Sequence, residues 1–129
     1  MTDPDSLPAA YTAYIDCINR RDLSVLGEFV AEDVRYNGER VGLSGYRGML
    51  EGNYRGIPDL RFAVELLVCN PPYVASRLAF ECSPTGQFLG LAVNGRRVSF
   101  AENVFYRYRM GRISEVWSVI DKAAIEAQL

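Results

Sequence analysis

The chain contains no histidine. That absence removes Ser-His-Asp and Cys-His nucleophile pairs, histidine-ligated metal or haem, and the side chain that most often serves as a base near neutral pH. Lysine is almost missing as well, with Lys122 alone against thirteen arginines. Acid–base chemistry is left to Asp, Glu, Tyr, Cys or that one lysine. The three cysteines, Cys17, Cys69 and Cys82, are odd in number and irregularly spaced, so they form neither a disulfide framework nor a CxxC metal site. Reduced thiols in a cytoplasmic protein are the reading they favour. No apolar stretch approaches the roughly 20 residues of a membrane helix, and the opening MTDPDSLPAA has neither a basic nor an apolar leader region. A soluble, unexported protein is expected. Charge of one sign is also lacking: 14 Lys+Arg against 16 Asp+Glu leaves −2, which gives no electrostatic case for nucleic acid or an anionic membrane.

What is present suits one globular domain over residues 1–129, 49% hydrophobic and 23% charged. Asp5 or Ser6 can cap a first helix, in which Tyr11, Tyr14, Ile15 and Ile18 recur at helical spacing. Asp22 opens a second, short helix with Leu23, Leu26, Phe29 and Val30 on one stripe. A short strand, 33–37, follows and ends at Gly38, and a third helix is expected from Ser44 to about Tyr54, stopped by Gly56 and Pro58. Beyond Pro58 the period becomes two. Residues 60–69 and 73–82 fold as a hairpin about Asn70-Pro71-Pro72, setting Glu65 across from Arg77, Arg61 from Glu81, Phe62 from Phe80 and Val64 from Leu78. In this register Phe62, Val64, Leu66 and Val68 share one face. Asn94-Gly95 is a turn signal leading into a strand from Arg97 to Tyr108. Met110-Gly111 then turns it into a last strand, 112–121, before a helical tail, 122–129. The order predicts an α+β fold: a curved, mostly antiparallel sheet with three N-terminal helices on one face.

Pairing the last two strands residue by residue from the Met110-Gly111 turn sets Phe100 against Asp121, Glu102 against Val119, Val104 against Trp117 and Tyr106 against Glu115. All eight side chains then lie on one face, with Glu102 diagonal to both Asp121 and Trp117. Two carboxylates and the only tryptophan would share a mostly apolar wall. Covered by helices, that wall would push the pKa of at least one carboxyl upward by burial and like-charge proximity. Asp121 reads equally as the N-cap of the tail helix, and Trp117 as a core residue. No metal site is visible, and Gly42–Gly48 and Gly86–Gly90 carry no phosphate-loop pattern.

The order Asn19-Arg-Arg-Asp22-Leu, Phe29-Val-Ala-Glu-Asp33-Val, Gly45-Tyr-Arg47, Pro58-Asp-Leu60 and Gly111-Arg-Ile-Ser-Glu115-Val-Trp117-Ser-Val-Ile-Asp121 resembles the SnoaL-like polyketide cyclases (ester cyclases) of the nuclear-transport-factor-like superfamily. The resemblance spans roughly residues 10 to 129. It implies a cone-shaped, cystatin-like α+β barrel with a deep hydrophobic pocket, a homodimer, and intramolecular aldol ring closure without metal or cofactor. It implies Asp121 as general acid/base; with Glu102 set beside it by the strand pairing to tune it, the expected substrate is a small hydrophobic carbonyl compound. Trp117, Tyr36, Asn37, Tyr14, Val104 and Val119 would contact the substrate. The chain departs from many such relatives at Cys82-Ser83-Pro84-Thr85-Gly86, where proline replaces a histidine. The alternative is a non-catalytic, small-molecule-binding dimeric domain that kept the pocket and lost the chemistry.

Overall fold

The computed structural model describes residues 6–129. Helix α1 (Ser6–Arg20) is followed by a 3₁₀ turn (Leu23–Glu28), strands β1 (Val30–Tyr36) and β2 (Glu39–Arg40), and helix α2 (Gly42–Gly56). Then come β3 (Ala63–Asn70), β4 (Tyr73–Cys82), the two-residue strands β5 (Gln87–Phe88) and β6 (Leu91–Ala92), β7 (Val98–Arg109), β8 (Arg112–Ile120) and a closing helix, α3 (Lys122–Glu126). The α+β class is as expected. Asp5, the alternative cap of α1, lies outside the described residues. The second helix is a 3₁₀ turn, and its last two expected members do not belong to it: Phe29 follows the turn and Val30 opens β1.

Six strands form one sheet in the order β2-β1-β8-β7-β4-β3, antiparallel except that β1 runs parallel to β8. The helices rest on its inner face. From α1 that face receives Leu7, Tyr11, Tyr14, Ile15 and Ile18, and from α2 it receives Leu43, Tyr46 and Leu50, all buried at helical spacing. The sheet answers with Val74, Leu78 and Phe80 of β4 and Phe100, Val104, Tyr106 and Tyr108 of β7. The rings of Phe62, Phe80 and Phe100 follow one another at 5.5 and 5.1 Å. β5 and β6 form a separate small hairpin, laid so that Phe88 reaches Phe100 at 5.7 Å. No helix among the described residues is long and apolar enough to cross a membrane.

Two strand registers differ from expectation, each by one extra residue. At the Met110-Gly111 turn the pairs Arg109↔Arg112 and Tyr108↔Ile113 form as expected, and both turn residues have positive φ, 52° and 78°. Ser114 is then bulged out of the ladder, its hydroxyl donating to the Arg107 carbonyl at 3.0 Å. Beyond it every pair moves by one: Arg107↔Glu115, Tyr106↔Val116, Phe105↔Trp117, Val104↔Ser118, Asn103↔Val119 and Glu102↔Ile120. The expected pairs of Glu102 with Val119, Val104 with Trp117, Tyr106 with Glu115 and Phe100 with Asp121 therefore do not occur. A second bulge, at Glu65, keeps Val64↔Leu78 but moves Leu66 opposite Arg77. This turns Leu66 and Val68 outward and Leu67 and Cys69 inward. Glu65 still meets Arg77, at 3.3 Å. Glu81 pairs with Arg97 and not with Arg61.

Candidate active site

Period two along β7 brings Glu102, Val104 and Tyr106 to the sheet's inner face, where they form the floor of a cavity roofed by α1 and α2. Its inner chamber, about 60 Å³, is bounded by Tyr14 and Ile18 of α1, Tyr46, Leu50 and Asn53 of α2, and Glu102, Val104, Tyr106 and Val116 of the sheet. An outer chamber of about 170 Å³ shares Tyr36, Met49, Asn53, Phe62 and Glu102 with it and adds Ile57, Phe80, Phe88, Phe100 and Ile120. Glu102 thus stands between a small chamber rich in tyrosine and a larger, mainly apolar one. Tyr36, Leu89 and Ile120 continue outward to a mouth that Asn37, Ser118 and Lys122 also line.

Glu102 is the carboxylate at the centre of this cavity. Loss of water pushes its pKa above the ordinary carboxylate range, and a hydrogen bond donated by the Ser118 hydroxyl opposes that rise. Ser118 is held in place by Asn37, whose side-chain carbonyl accepts from the Ser118 N–H at 2.8 Å. The Asn37 amide donates to the Ser118 carbonyl at 3.4 Å. Asn37, at φ 49°, thereby extends the β1 contact with β8 past the end of the strand. Across the chamber the Tyr14 and Tyr46 hydroxyls lie 2.6 Å apart, and Tyr11 donates to Tyr106 at 3.2 Å. Burial drives the pKa of Tyr14, Tyr46 and Tyr106 far up, so all three remain neutral phenols throughout the neutral range.

Of the residues singled out in the sequence, Glu102, Tyr14, Tyr36 and Val104 meet in this cavity, and Asn37 reaches its mouth. Three do not. Asp121 is exposed, lines neither chamber, and caps α3 by accepting from the Ala124 N–H at 3.2 Å. Trp117, 37% exposed, and Val119 lie on the outer sheet face, because the Ser114 bulge turns Val116, Ser118 and Ile120 inward in their place. Glu115 is likewise outside the cavity, near Arg35 at 3.8 Å.

Tyr46, Tyr106, Asn53 and Met49 also bound this cavity and Ser118 its mouth, although the sequence reading named none of them as a site residue. Tyr106 was recoverable, since it shares a strand face with Glu102. Met49 and Asn53 stand one helical turn apart on α2, a weaker signal. Ser118 was hidden by the bulge. Among the described residues no three His, Cys, Asp or Glu side chains converge closely enough to hold a metal ion.

The family model for SnoaL-like polyketide cyclases matches residues 9–129. Among solved structures, a SnoaL-like polyketide cyclase from Agrobacterium tumefaciens is 47% identical, with a TM-score of 0.93 over 99% of this chain and 98% of that one. TsrD from Streptomyces laurentii is 21% identical, with a TM-score of 0.85 over 99% and 97% of the two chains. IdmH from Streptomyces antibioticus is 23% identical, with a TM-score of 0.80 over 94% and 96%. The last two share the fold. No curated protein matches the chain.

Proposed function

The chain belongs to the SnoaL-like polyketide cyclase family, and from that premise we propose that it closes a ring in a small hydrophobic carbonyl compound, with Glu102 as general acid/base. The observation that carries this reading is a desolvated carboxylate placed where an apolar chamber meets a polar one. The ionised Glu102 takes a proton from the carbon beside a carbonyl, and the C–H electron pair moves to the carbonyl oxygen as an enolate. The enolate carbon attacks a second carbonyl of the same molecule. The resulting alkoxide recovers the proton from Glu102, so that no other reactant is consumed. The apolar walls fold the substrate and keep water from the enolate. Ketosteroid isomerase uses an aspartate base beside a carbonyl in the same manner, without a metal. Asp121 has no part in the step.

A test uses a synthetic aromatic compound bearing a 1,3-dicarbonyl side chain. Deuterium exchange of its acidic C–H and ring closure are followed by NMR. The wild-type protein should accelerate both, and Glu102→Gln should lose about a hundredfold or more in rate while still binding. Because burial raises the Glu102 pKa, the rising limb of kcat/KM should lie above the ordinary carboxylate range. Ser118→Ala removes a hydrogen bond that favours the ionised form, so it should move that limb higher still. Binding without exchange at any pH would sink the catalytic reading and leave a ligand-binding domain.

The proposal includes a homodimer formed through the outer sheet face. Leu66, Val68, Phe105, Trp117 and Val119 stand exposed across that face, and Leu66, Val68 and Phe105 border a shallow groove there. An uncovered apolar band of this extent on a globular domain is characteristic of an interface.

A further inference from the structure

Among the described residues, the phenols of the inner chamber carry more protons than they have hydrogen-bond acceptors. Tyr14, Tyr46 and Tyr106 line that chamber, and none is more than 6% exposed. Their three hydroxyls carry three protons. The Tyr14–Tyr46 pair uses one, whichever partner donates. Tyr106 accepts from Tyr11, and its own proton meets no acceptor among the described residues. Two O–H donors are thus left over beside a chamber of about 60 Å³, which has room for an oxygen-bearing guest. Unsatisfied donors at this depth are costly unless something supplies an oxygen. Tyr108, beside them on β7, is also buried without a partner among the described residues. The carboxylate of the chamber, Glu102, stands on its other side and already holds the Ser118 hydroxyl.

We infer that the Tyr14–Tyr46 pair, with Tyr106, forms an oxyanion-binding site that takes the oxygen of an enolate or phenolate ligand. The base comes from β7, and the donors come from α1, α2 and a position two inward steps further along β7. When a proton leaves carbon for Glu102, the electron pair arrives on an oxygen that faces the hydroxyls. Preorganised donors aimed at developing charge are among the largest contributions to such catalysis. The high pKa values of the three phenols keep them as donors and prevent them from losing their protons to the ligand. The inference rests on the acid–base reading for its role in turnover, but the oxygen site itself can be measured without turnover.

The probe is 4-nitrophenol, whose phenolate has its own visible absorption band. In the Glu102→Gln protein the opposing negative charge is gone. Bound probe should there ionise at lower pH than free probe, because the hydroxyls favour the oxyanion. Adding Tyr46→Phe or Tyr14→Phe to that background should weaken phenolate binding by about tenfold to a hundredfold, with less effect on the neutral form. Tyr54→Phe, which loses only the bond its hydroxyl donates to the Ile18 carbonyl and whose ring lines neither chamber, should leave it unchanged. Two substitutions guard against loss of folding, and thermal melts identify which variant is usable. Should neither fold, the ionisation shift in Glu102→Gln alone decides. Probe that ionises at higher pH when bound, that does not bind, or that binds a folded Tyr→Phe variant equally well overturns the inference. Loss of turnover in Glu102→Gln is read separately, so an oxygen site without base catalysis and a base without an oxygen site give different results.

Discussion

A carboxylate becomes a useful base only when it has given up some of its water, and on that criterion Glu102 and Asp121 part company. Glu102 lies under two helices with a serine hydroxyl on one oxygen. Asp121 is exposed, and its side chain serves the first turn of α3. The expected consequence is a reversal of what the strand pattern first suggests. Asp121→Ala should cost about 1 kcal/mol of stability through the lost cap, whereas Asp121→Asn, itself a good cap, should cost little. Both should keep turnover within about twofold, since neither changes the cavity. Chemical denaturation and steady-state rates on the two variants check this. A folded Asp121→Asn protein with no activity would return Asp121 to the mechanism.

At the scale of the element, one residue decides what is inside. Inward and outward alternations of β8 beyond Ser114 are both largely apolar, Val116-Ser118-Ile120 against Trp117-Val119, so period two alone does not choose between them. What marks the break is that Ile113 and Val116 are both buried although an odd number of steps separates them. Glu102, Val104 and Tyr106 were legible because β7 alternates without interruption, with apolar or aromatic side chains at most inward positions and Asn, Phe and Arg outward. Tyr14 was legible from the helical stripe of α1. Ser118 was not, nor was the outward position of Trp117, because a bulge is set by local hydrogen bonding that hydropathy does not record. Deleting Ser114 should re-phase the strand, placing Trp117 and Val119 inward and removing Ser118 from Glu102. Such a protein should lose the cavity or fail to fold cooperatively. Ser114→Ala, which keeps the residue count, should retain both. Circular dichroism melts and probe binding distinguish the two.

At the scale of the whole molecule, alternation of helix-type and strand-type periods made the α+β architecture readable, along with the order of the main strands. The parallel contact of β1 with β8 was not, since nothing local in 30–36 specifies a partner some eighty residues away. The outer face follows from the same register. It exposes Phe105 at 57% and Val119 at 69%, directly beside Trp117. Under the proposed homodimer, sedimentation should give a dimer mass at micromolar concentration. Phe105→Glu with Trp117→Glu should give a folded monomer that still binds ligand, because the cavity opens on the opposite side of the sheet. A wild-type protein that stays monomeric across the concentration range refutes the assembly.

The sheet's layout has a further consequence for how the molecule moves. β7 is hydrogen-bonded on both flanks, to β4 and β8, and near its start the Gln128 side chain clasps Ser99 through both its carbonyl, at 2.9 Å, and its amide, at 2.6 Å. Glu102 therefore rides on the segment least free to open. The roof has no such ladder: α1 and α2 meet the floor through side chains, with Tyr11 of α1 reaching Tyr106 of β7. In the proposed reaction the cavity is therefore an anvil: substrates of different size meet the base at one point, because that point is fixed by the sheet.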